Sequence, residues 1–599
     1  MAHKEEGRTS APTGDRPPGF AGDLPDIFTR AMRFETDGRI GNRFRTFRTS
    51  VNGVVGFELV LRDQSGGLNA LDGDFDVIGS RSRASSLDTR YPRYLTLPPL
   101  LTTQAAPDPG GTITGLHHAN IFSTCIIGMG ASAFSDGVSA SLFKETSATN
   151  PTLVGIDYTA TSSITCLQPV NLGSATVAKM LLVGRLSDPA QLLSDATGTV
   201  NATLHTDVEP LWGAIPTFLP ELPILLYANG AIRILNGSAA ATTQPTVTLS
   251  SVPNGGYALG LLPFGGPWRA YWVWPTANNA SGLLNTEGSG VIVHTTQEGT
   301  DPYPLMLPML RFVRYAAIVP GRQALVASDD EIIVVHDGQT IRNTYWASER
   351  EPDSDIQQEI RGFFVKDSDV YVMGTRRKSD FTSASPNTTI FIEQLDWRTM
   401  TWHRVSAEVT LSVGGRVGPI AGSLPVSSGS GFSHYHVDGA WYRQWQPFPG
   451  GEFLTPFHAR QTAGAAAASG KAAAASGTWT SPYWNFPDFN GYPKEVTEIV
   501  FGGRIENVGS PTTAGKVVVT AGGRTATFGT GFTDEHQVST FPGIGDLWDT
   551  LQMTVAATQQ SGGTDPTRAN INAFPITIRG LIYADTVKVN QWRKRTRGI

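Results

Sequence analysis

The residues best spaced for metal chemistry are His434 and His436, with Asp438 close by. Side chains at positions i and i+2 of a strand share one face, so two imidazoles there could meet one cation. A zinc site needs at least a third protein ligand, and the sequence identifies none. His117 and His118 point to opposite faces of an extended strand. We therefore interpret His434 and His436 as part of an exposed strand beside a turn, and we expect no metal and no cofactor.

Three pairs of acidic residues have spacings that acid–base catalysis could use. They are Asp329 and Asp330, Asp353 and Asp355, and Asp367 and Asp369. A glycosidase needs two carboxylates that face one cleft at a fixed separation. Most of these residues instead fall in loops or at hairpin tips, where aspartate is favoured because its side chain caps the turn. We predict that they shape turns and that none of them is catalytic.

Known binding and catalytic signatures are incomplete or missing. Asp72, Asp74 and Asp76 open with the spacing of a calcium loop. Val77 replaces the glycine that such a loop needs for its turn, and Arg83 replaces its closing glutamate. The chain has no Gly-x-Ser-x-Gly and no His-Glu-x-x-His sequence. We therefore expect the protein not to be an enzyme.

A group of aromatic residues opens the last part of the chain. Its members are Trp479, Tyr483, Trp484, Phe486, Phe489 and Tyr492. Exposed aromatic rings stack on sugars, so the group is a candidate glycan platform. The same rings can instead pack the last, sandwich-like domain against the propeller-like domain predicted below, and we favour packing. The basic tail that begins at Trp592 is too short to indicate nucleic-acid binding and favours a solvated terminus or a subunit contact.

The composition is that of a large chain rich in turns and poor in surface helices. Of its 599 residues, 40% are hydrophobic and 16% are charged, against about 25% charged residues in typical domains. Helices that face solvent normally carry Glu, Lys and Arg, so few are expected. A net charge of −6 gives no general attraction to nucleic acid, and no specific nucleic-acid binding is expected. With only Cys125 and Cys166, buried free thiols are favoured over a disulfide.

The first residues of the chain are predicted to form an extended arm, 1–26. The arm mixes charged residues with Pro and Gly and lacks the apolar segment of a secretory signal. No apolar run approaches the ~20 residues that span a bilayer. We therefore expect a protein made in the cytoplasm, with no membrane span. The helix-like apolar spacing from Ile27 to Phe34 predicts a short helix after the arm.

Short runs of β-branched and aromatic residues, cut by Gly, Asp and Asn, follow from Val51 onward. Two four-stranded meanders are clearest. The first is predicted at Arg311–Val319, Ala324–Ser328, Glu331–Val335 and Thr340–Trp346. The second is predicted at Gly362–Lys366, Asp369–Gly374, Thr388–Leu395 and Thr401–Val405. Their repeat of roughly 50 residues is close to that of propeller blades.

Two further units extend this pattern. The earlier unit contains Leu225–Leu235, Thr246–Ser251, Tyr257–Leu262 and Arg269–Trp274, and the later one contains Phe432–His436 and Trp441–Trp445. A four-stranded meander cannot bury both faces alone, so successive blades must stack around an axis. We predict a β-propeller-like domain.

An Ala/Gly/Ser tract, residues 461–477, interrupts the strand pattern. Beyond it, alternating or apolar runs of strand length predict a β-sandwich. These runs are Val496–Phe501, Lys516–Thr520, Thr525–Phe528, Thr550–Ala556 and Ile576–Tyr583. The predicted fold is all-β, with two units that fold independently on either side of the tract. The predicted organisation is an arm (1–26), a propeller-like domain with insertions (27–460), a linker (461–477), a sandwich (478–590) and a basic tail (591–599).

Three short segments give the chain a family resemblance. They are Ser85-Ser86-Leu87-Asp88-Thr89-Arg90-Tyr91-Pro92-Arg93-Tyr94-Leu95 before the propeller, Gly477-Thr478-Trp479-Thr480-Ser481-Pro482 at the start of the sandwich, and Phe574-Pro575-Ile576-Thr577-Ile578-Arg579-Gly580-Leu581-Ile582-Tyr583 at its end. Together with a propeller-like middle, this layout resembles tail and nozzle proteins of double-stranded DNA bacteriophages. The resemblance implies a virion subunit, present as a ring, that contacts neighbouring tail proteins.

Two functional hypotheses follow from the sequence. The first is a structural tail component of nozzle, tail-tip or minor tail type, assembled in the host cytoplasm as a homo-oligomer, with a host-surface glycan as a further candidate partner. The alternative is a carbohydrate-binding or carbohydrate-cleaving β-propeller protein. A tail subunit should co-purify as an oligomer or with virions, whereas a lectin or hydrolase should act alone on glycans.

Overall fold

In a computed structural model, the described residues form 42 strands, numbered in chain order, and no helix, hence none there that could cross a membrane. The described residues are 31–33, 42–50, 53–68, 82–90, 95, 97–98, 100–104, 113–122, 124–131, 142–145, 153–156, 164–170, 180–185, 189–208, 210–214, 224–227, 231–235, 243–248, 257–263, 268–274, 291–296, 303–306, 315–318, 324–327, 332–336, 340–343, 356–366, 369–378, 388–396, 401–411, 421–423, 432–437, 440–445, 476–484, 486, 489, 491–506, 514–529, 537–542, 545–558, 570–572 and 575–583.

Strand bounds fall into three successive groups. The first five strands are β1 (Ala31–Arg33), β2 (Arg43–Arg48), β3 (Val54–Leu61), β4 (Ala84–Ser85) and β5 (Leu101–Gln104). The middle strands are β6 (Ile113–Ile121), β7 (Thr124–Ala131), β8 (Leu142–Glu145), β9 (Leu153–Gly155), β10 (Ile164–Val170), β11 (Met180–Arg185), β12 (Pro189–Leu193), β13 (Val200–Val208), β14 (Pro210–Ala214), β15 (Ile224–Tyr227), β16 (Ala231–Leu235), β17 (Thr243–Thr248), β18 (Tyr257–Pro263), β19 (Trp268–Trp274), β20 (Val291–Thr296), β21 (Tyr303–Met306), β22 (Tyr315–Ile318), β23 (Ala324–Ala327), β24 (Ile332–His336), β25 (Thr340–Asn343), β26 (Ile356–Lys366), β27 (Asp369–Lys378), β28 (Thr388–Asp396), β29 (Thr401–Arg404), β30 (Val409–Leu411), β31 (Ala421–Ser423), β32 (Phe432–Val437) and β33 (Ala440–Trp445). The last nine are β34 (Ser476–Thr480), β35 (Lys494–Phe501), β36 (Arg504–Glu506), β37 (Lys516–Ala521), β38 (Arg524–Phe528), β39 (Gln537–Thr540), β40 (Met553–Thr558), β41 (Asn570–Asn572) and β42 (Ile576–Tyr583).

Seven sheets among the described residues repeat one plan of sequential antiparallel strands. Six of them are β6–β9, β10–β13, β14–β17, β18–β21, β22–β25 and β26–β29, with β30 added beside β28. The seventh combines β31, β32 and β33 with β5. We call these sheets blades 1 to 7, in that order.

The blades close into a ring. The first strands of successive blades pack side by side in the order β6, β10, β14, β18, β22, β26 and β31, and β31 packs against β6 again. A closed cycle of four-stranded antiparallel sheets is a β-propeller. Blade 7 takes its outer strand from before the ring, because Leu101 pairs with Gln444 and Gln104 with Trp441. This pairing fastens the start of the propeller to its end.

Continuous burial of strands follows from this stacking. Every residue of β11 is buried. In blade 6, Ile390, Phe391 and Ile392 are consecutive and all have no exposed surface. A strand covered on both faces cannot alternate apolar and polar residues, so it appears in sequence as an unbroken apolar run.

The predicted meanders are confirmed, and one predicted unit is divided. Blades 5 and 6 contain the strands predicted between residues 311 and 405, in the predicted order. The earlier unit instead divides between blade 3, which holds Ile224–Tyr227, Ala231–Leu235 and Thr243–Thr248, and blade 4, which begins at Tyr257. Hairpin turns give the strand order but do not mark which connection crosses to the next blade.

Both ends of the chain supply a second all-β unit, a sandwich of two sheets. Its first sheet has the order β1-β2-β3-β42-β35-β39, and its second has the order β38-β37-β40-β34-β4. The neighbours β3 and β42 pair from Val54 opposite Tyr583 to Leu61 opposite Ile576. The centre of the first sheet therefore joins residues more than 500 positions apart.

The structure revises the organisation expected for the N-terminal region. Residues 43–61, which the sequence assigns to the propeller-like domain, lie in the sandwich instead. Ala31–Arg33, within the predicted helix, form a strand that pairs with Arg43–Arg45, because the edge of β2 satisfies their backbone groups. Ser476 and Gly477, at the end of the predicted linker, begin β34. The arm (1–26), residues 461–475 and the basic tail (591–599) lie outside the described residues.

The sandwich core is built from alternating inward residues. Alternate residues of β40 are buried, as are those of most of β42. Phe44 from β2 stacks on Phe486 at a centroid distance of 4.4 Å, and Phe57 from β3 lies 5.4 Å from the same ring. Each such side chain contributes roughly 1.5–3 kcal/mol when fully buried. The N-terminal strands are therefore part of this core.

Gly580 is a position where the neighbouring strands of the first sheet, β3 and β35, leave no room for a side chain. A Cβ atom there would lie 2.0 Å from the Glu495 carbonyl oxygen and 2.5 Å from the Phe57 ring. We expect Gly580→Ala to lower the free energy of unfolding by about 2–3 kcal/mol, because a strand must move to relieve the overlap. Urea unfolding measures the change. Gly529→Ala, where a Cβ meets nothing within 4 Å, is the matched control; equal losses from both variants would refute the packing argument.

Candidate functional site at the joint between propeller and sandwich

A connector, residues 62–68 and 82–90, leads from β3 towards the propeller. Its start is fixed by Asn42, whose Oδ1 accepts hydrogen bonds from the backbone N–H groups of Arg62 (2.8 Å) and Asp63 (3.1 Å). The Asp63 carboxylate then accepts from the Ser65 N–H at 2.9 Å and from the Ser65 hydroxyl at 2.7 Å. These buried bonds satisfy a backbone that has left its sheet.

The connector meets blade 6 at strand β29. The Leu68 N–H donates to the Trp402 carbonyl at 2.7 Å, and the Thr401 hydroxyl donates to the Gly66 carbonyl at 2.7 Å. Gly67 has a φ of 75°, and a Cβ atom there would lie 2.1 Å from the Thr401 hydroxyl oxygen. Only glycine permits this close approach.

The connector also enters the sandwich. The Trp479 indole donates to the Ser82 hydroxyl at 2.6 Å, and the Thr478 N–H donates to the Ser86 hydroxyl at 2.8 Å. Leu87 is fully buried in the sandwich core. It packs on Gly477, where a Cβ atom would lie 2.5 Å from a Leu87 methyl carbon. One short segment thus contacts both domains.

Asp88 and Arg90 form a clasp at the end of the connector. The Asp88 carboxylate accepts from Arg90 Nε at 3.0 and 3.1 Å, from its terminal nitrogen at 2.7 Å and from its backbone N–H at 3.0 Å. The other terminal nitrogen of Arg90 donates to the Gln394 side chain of blade 6 at 2.7 Å. Charge-assisted bidentate pairs fix orientation as well as distance. The clasp therefore holds the Arg90 side chain in position to bond blade 6 of the propeller.

Thr89, His403 and Asp396 form a hydroxyl–imidazole–carboxylate series beside the clasp, in which Asp396 is partly exposed. The Thr89 hydroxyl lies 2.8 Å from His403 Nδ1, and His403 Nε2 lies 3.6 Å from the Asp396 carboxylate. The order of groups resembles a catalytic triad, but the two ring nitrogens are exchanged relative to that arrangement. Thr89 is fully buried and His403 is 3% exposed, so no substrate carbonyl can reach the hydroxyl. The series joins the connector to blade 6.

Blade 6 is rigid where the connector docks. His403 lies directly opposite Gln394 in the register of β28 and β29, so Thr89 and Arg90 bind a neighbouring pair. The residue after His403 is Arg404, whose side chain donates to Glu393 at 3.0 Å and to Glu408 at 2.8 Å. Burial opposes ionisation of Glu408, but the charge and hydrogen bond of Arg404 outweigh it and lower the pKa of Glu408. Glu408 thus remains charged at neutral pH.

Lys494 is the buried cation of the sandwich. Its Nζ donates to the carbonyl oxygens of Phe489 (3.1 Å), Tyr492 (2.9 Å) and Asp549 (2.5 Å), which ties two loops together. Burial lowers the pKa of Lys494 to about 8, against the opposing charge of Asp549. This position is structural, because the three hydrogen bonds of the ammonium group all go to backbone carbonyls.

A pH-dependent stability follows from this lysine. Its folded pKa of about 8 is below the ordinary value of 10.5, so the unfolded chain binds the proton more tightly between these values. The Lys494 contribution to the free energy of unfolding therefore rises as the pH increases from about 8 towards 10. We expect the stability difference between wild type and Lys494→Met to grow by about 1–3 kcal/mol from pH 8 to pH 10 in urea unfolding. A constant difference would contradict the assignment.

The metal-like and acidic candidates from the sequence are not gathered into one site within the described part of the chain. His434 and His436 lie on β32, and His117 and His118 lie on β6. Asp369 begins β27 and is exposed. Nine further candidates lie outside the described ranges: Asp72, Asp74, Asp76, Asp329, Asp330, Asp353, Asp355, Asp367 and Asp438. Within the described ranges, no three His, Cys, Asp or Glu side chains are placed to hold a metal.

The aromatic group packs rather than forming a platform. Trp479, Trp484 and Phe486 have no exposed surface, and Phe489 is 2% exposed. These rings lie in the core between the two sandwich sheets. Tyr483 stays partly exposed and lies under Arg83, whose guanidinium carbon is 5.0 Å from the ring centroid. Packing is confirmed, although it is within the sandwich and not against the propeller.

The residues that join the domains are not predicted from sequence as a site. Thr89 and Arg90 enter only as part of a resemblance, and Gln394, Asp396 and His403 carry no signal by spacing. In the structure, His403 lies in β29, where all four residues are buried. A buried polar side chain needs a partner. Cys166, by contrast, is buried and is not part of a disulfide, as expected.

Comparisons with known proteins give no family for this chain. No family model matches it, and no curated protein matches it. Similar solved structures include the crystal structure of BBS1N in complex with ARL6DN, soaked with lead, and that of BBS1N in complex with ARL6DN, soaked with mercury. Each has a TM-score of 0.34 and 10% sequence identity, and covers 58% of this chain and 98% of the other. A likeness of this degree assigns no function.

Proposed function

We propose that the protein is a structural subunit of a bacteriophage tail, of nozzle, tail-tip or minor tail type, that forms a ring of identical copies and contacts other virion proteins. The proposal includes assembly in the host cytoplasm. One observation carries it: the segments that give the family resemblance are framework segments. Ser85–Arg90 joins the sandwich to blade 6, and Ile576–Tyr583 is a central strand of the sandwich.

The chemistry of the joint supports a role in holding shape. The Asp88–Arg90 clasp and the Thr89–His403 contact bond polar groups of the joint to each other, and Asp88, Thr89 and His403 are buried. Groups that bind a ligand or react must instead be accessible to it. A subunit that transmits force or spacing along an assembly needs its domains held at a fixed angle. We therefore propose a non-catalytic role.

Co-sedimentation tests the proposal. Particles released from a producing culture are banded by density, and an antibody against this chain is used to probe the fractions. The proposal expects the chain in the intact-particle fraction at a fixed ratio to other tail proteins. A chain found only as free protein that binds or cleaves members of a glycan array would contradict it and favour the carbohydrate alternative.

A further inference from the structure

The outer face of the first sandwich sheet carries an exposed basic surface. We define the basic face as Arg43, Arg45 and Phe47 of β2, Arg62 at the end of β3, and Arg579 of β42. Arg43 and Arg62 are exposed, and the side chains of Arg45 and Arg579 are 46% and 43% exposed. Phe47 is 44% exposed.

A ladder of ion pairs crosses this face and makes it rigid. Arg45 bonds Glu58 at 2.6 Å, Arg579 bonds Glu58 at 2.8 Å, and Arg579 also bonds Glu498 at 2.5 Å. Burial opposes ionisation of Glu58, but hydrogen bonds and charge from the two arginines outweigh it and lower its pKa. Glu58 thus stays charged and positions Arg45 and Arg579 before any partner arrives, which reduces the entropy lost on binding.

The ladder does not neutralise the face. Two of the four arginines, Arg45 and Arg579, pair with the two glutamates, and within the described residues no carboxylate forms an ion pair with Arg43 or Arg62. The whole chain nevertheless has a net charge of −6, so the rest of its surface is more acidic than that value. The basic face is therefore a positively charged region on a chain whose net charge is negative.

Phe47 gives the face an apolar anchor. Its ring covers Gly56 on the next strand, where a Cβ atom would lie 2.1 Å from the ring. Arginine and aromatic residues together are enriched in protein–protein interfaces, where they supply most of the binding energy. A flat face with this composition suits contact with a protein surface.

We propose that the basic face binds the acidic surface of a second copy of this chain. Charge complementarity selects this occupant, since a basic face on an acidic chain attracts the other surfaces of its own copies. Such a contact joins two different surfaces, so it is heterologous and closes into a ring when the rotation permits. The inference rests on the proposed ring-forming function and names the subunit surface that function would use.

Charge reversal on the basic face tests this proposal. The variant is Arg43→Glu with Arg62→Glu, which leaves the ion ladder intact. The matched control is Lys516→Glu, an exposed lysine on β37 of the other sheet. Sedimentation velocity at low and high salt measures assembly, and thermal unfolding checks that each variant is folded. We expect wild type and the control to form oligomers that weaken with salt, and the double variant to need at least a tenfold higher concentration to assemble.

Two outcomes would overturn the inference. If the folded double variant assembles like wild type, the basic face is not the contact, although a ring-forming subunit remains possible through another surface. If wild type stays monomeric at all concentrations while heparin binding is lost in the double variant, the occupant is an anionic polymer and not a second copy. Failure of the proposed function is distinguishable from these outcomes, because the particle fractionation tests that function without changing the basic face.

Discussion

A fragment that contains only residues 479–599 is expected to remain unfolded or to aggregate. The sequence suggests an independent domain after the Ala/Gly/Ser tract, but β42 pairs with β3 along eight residues. Removing β3 takes the buried Phe57 and Leu59 out of the core and exposes a long strand edge. At roughly 1.5–3 kcal/mol for each lost side chain, the deficit from the N-terminal strands approaches the total stability of a domain, about 5–15 kcal/mol.

A matched second chain restores the missing strands. It joins residues 42–90 to residues 476–583 through a Gly/Ser linker of about 10 residues. We expect this chain to be soluble, to give a β-type circular dichroism spectrum and to unfold cooperatively. Cooperative unfolding of the 479–599 fragment by itself would show that the N-terminal strands are dispensable and that the sandwich assignment is wrong.

Asp88→Ala is expected to cost about 3–5 kcal/mol of unfolding free energy, more than any other single substitution proposed for this chain. Asp88 is 4% exposed and is bonded to Arg90 by three side-chain contacts. Its removal leaves a partly buried guanidinium without its main counter-charge, and an uncompensated buried charge is strongly destabilising. The loss should also loosen the Arg90 contact with Gln394 in blade 6. Urea unfolding followed by tryptophan fluorescence measures the effect.

Asp195→Ala is the control for the clasp. The Asp195 carboxylate also accepts a backbone N–H and a hydroxyl two residues ahead, both from Thr197, but in an exposed loop. Because solvent replaces these bonds, we expect a loss of no more than about 1 kcal/mol. If Asp88→Ala and Asp195→Ala cost the same, the clasp does not hold the domains together.

The blades are predictable because their information is local. Apolar runs at strand length, separated by turn residues, indicate both meanders between residues 311 and 405. For the sandwich, the sequence predicts the strands after the Ala/Gly/Ser tract but not the contribution of the N-terminal strands. Nothing near Val54 indicates that its partner is Tyr583, since strand pairing depends on contacts between residues far apart in sequence. The helix expected at Ile27–Phe34 is wrong for the same reason, because tertiary pairing with β2 overrides a short local preference.

The joint is less predictable than the fold. Thr89 and His403 are 314 positions apart, and each is an ordinary polar residue in its own segment. The aromatic group is easier, because large aromatic side chains bury much apolar surface and therefore usually lie in a core. Spacing within one strand identifies shared faces, as for His434 and His436, but it does not identify a partner from another strand.

Electron microscopy of the purified full-length protein tests the central claim most directly. The account predicts closed rings in which every subunit shows a propeller disc with a sandwich lobe held at one fixed angle beside it. Averages of the lobe should be as sharp as those of the disc, because the connector bonds both. Single, unassembled particles in which the lobe takes many angles relative to the disc would contradict both the rigid joint and the ring-forming structural role.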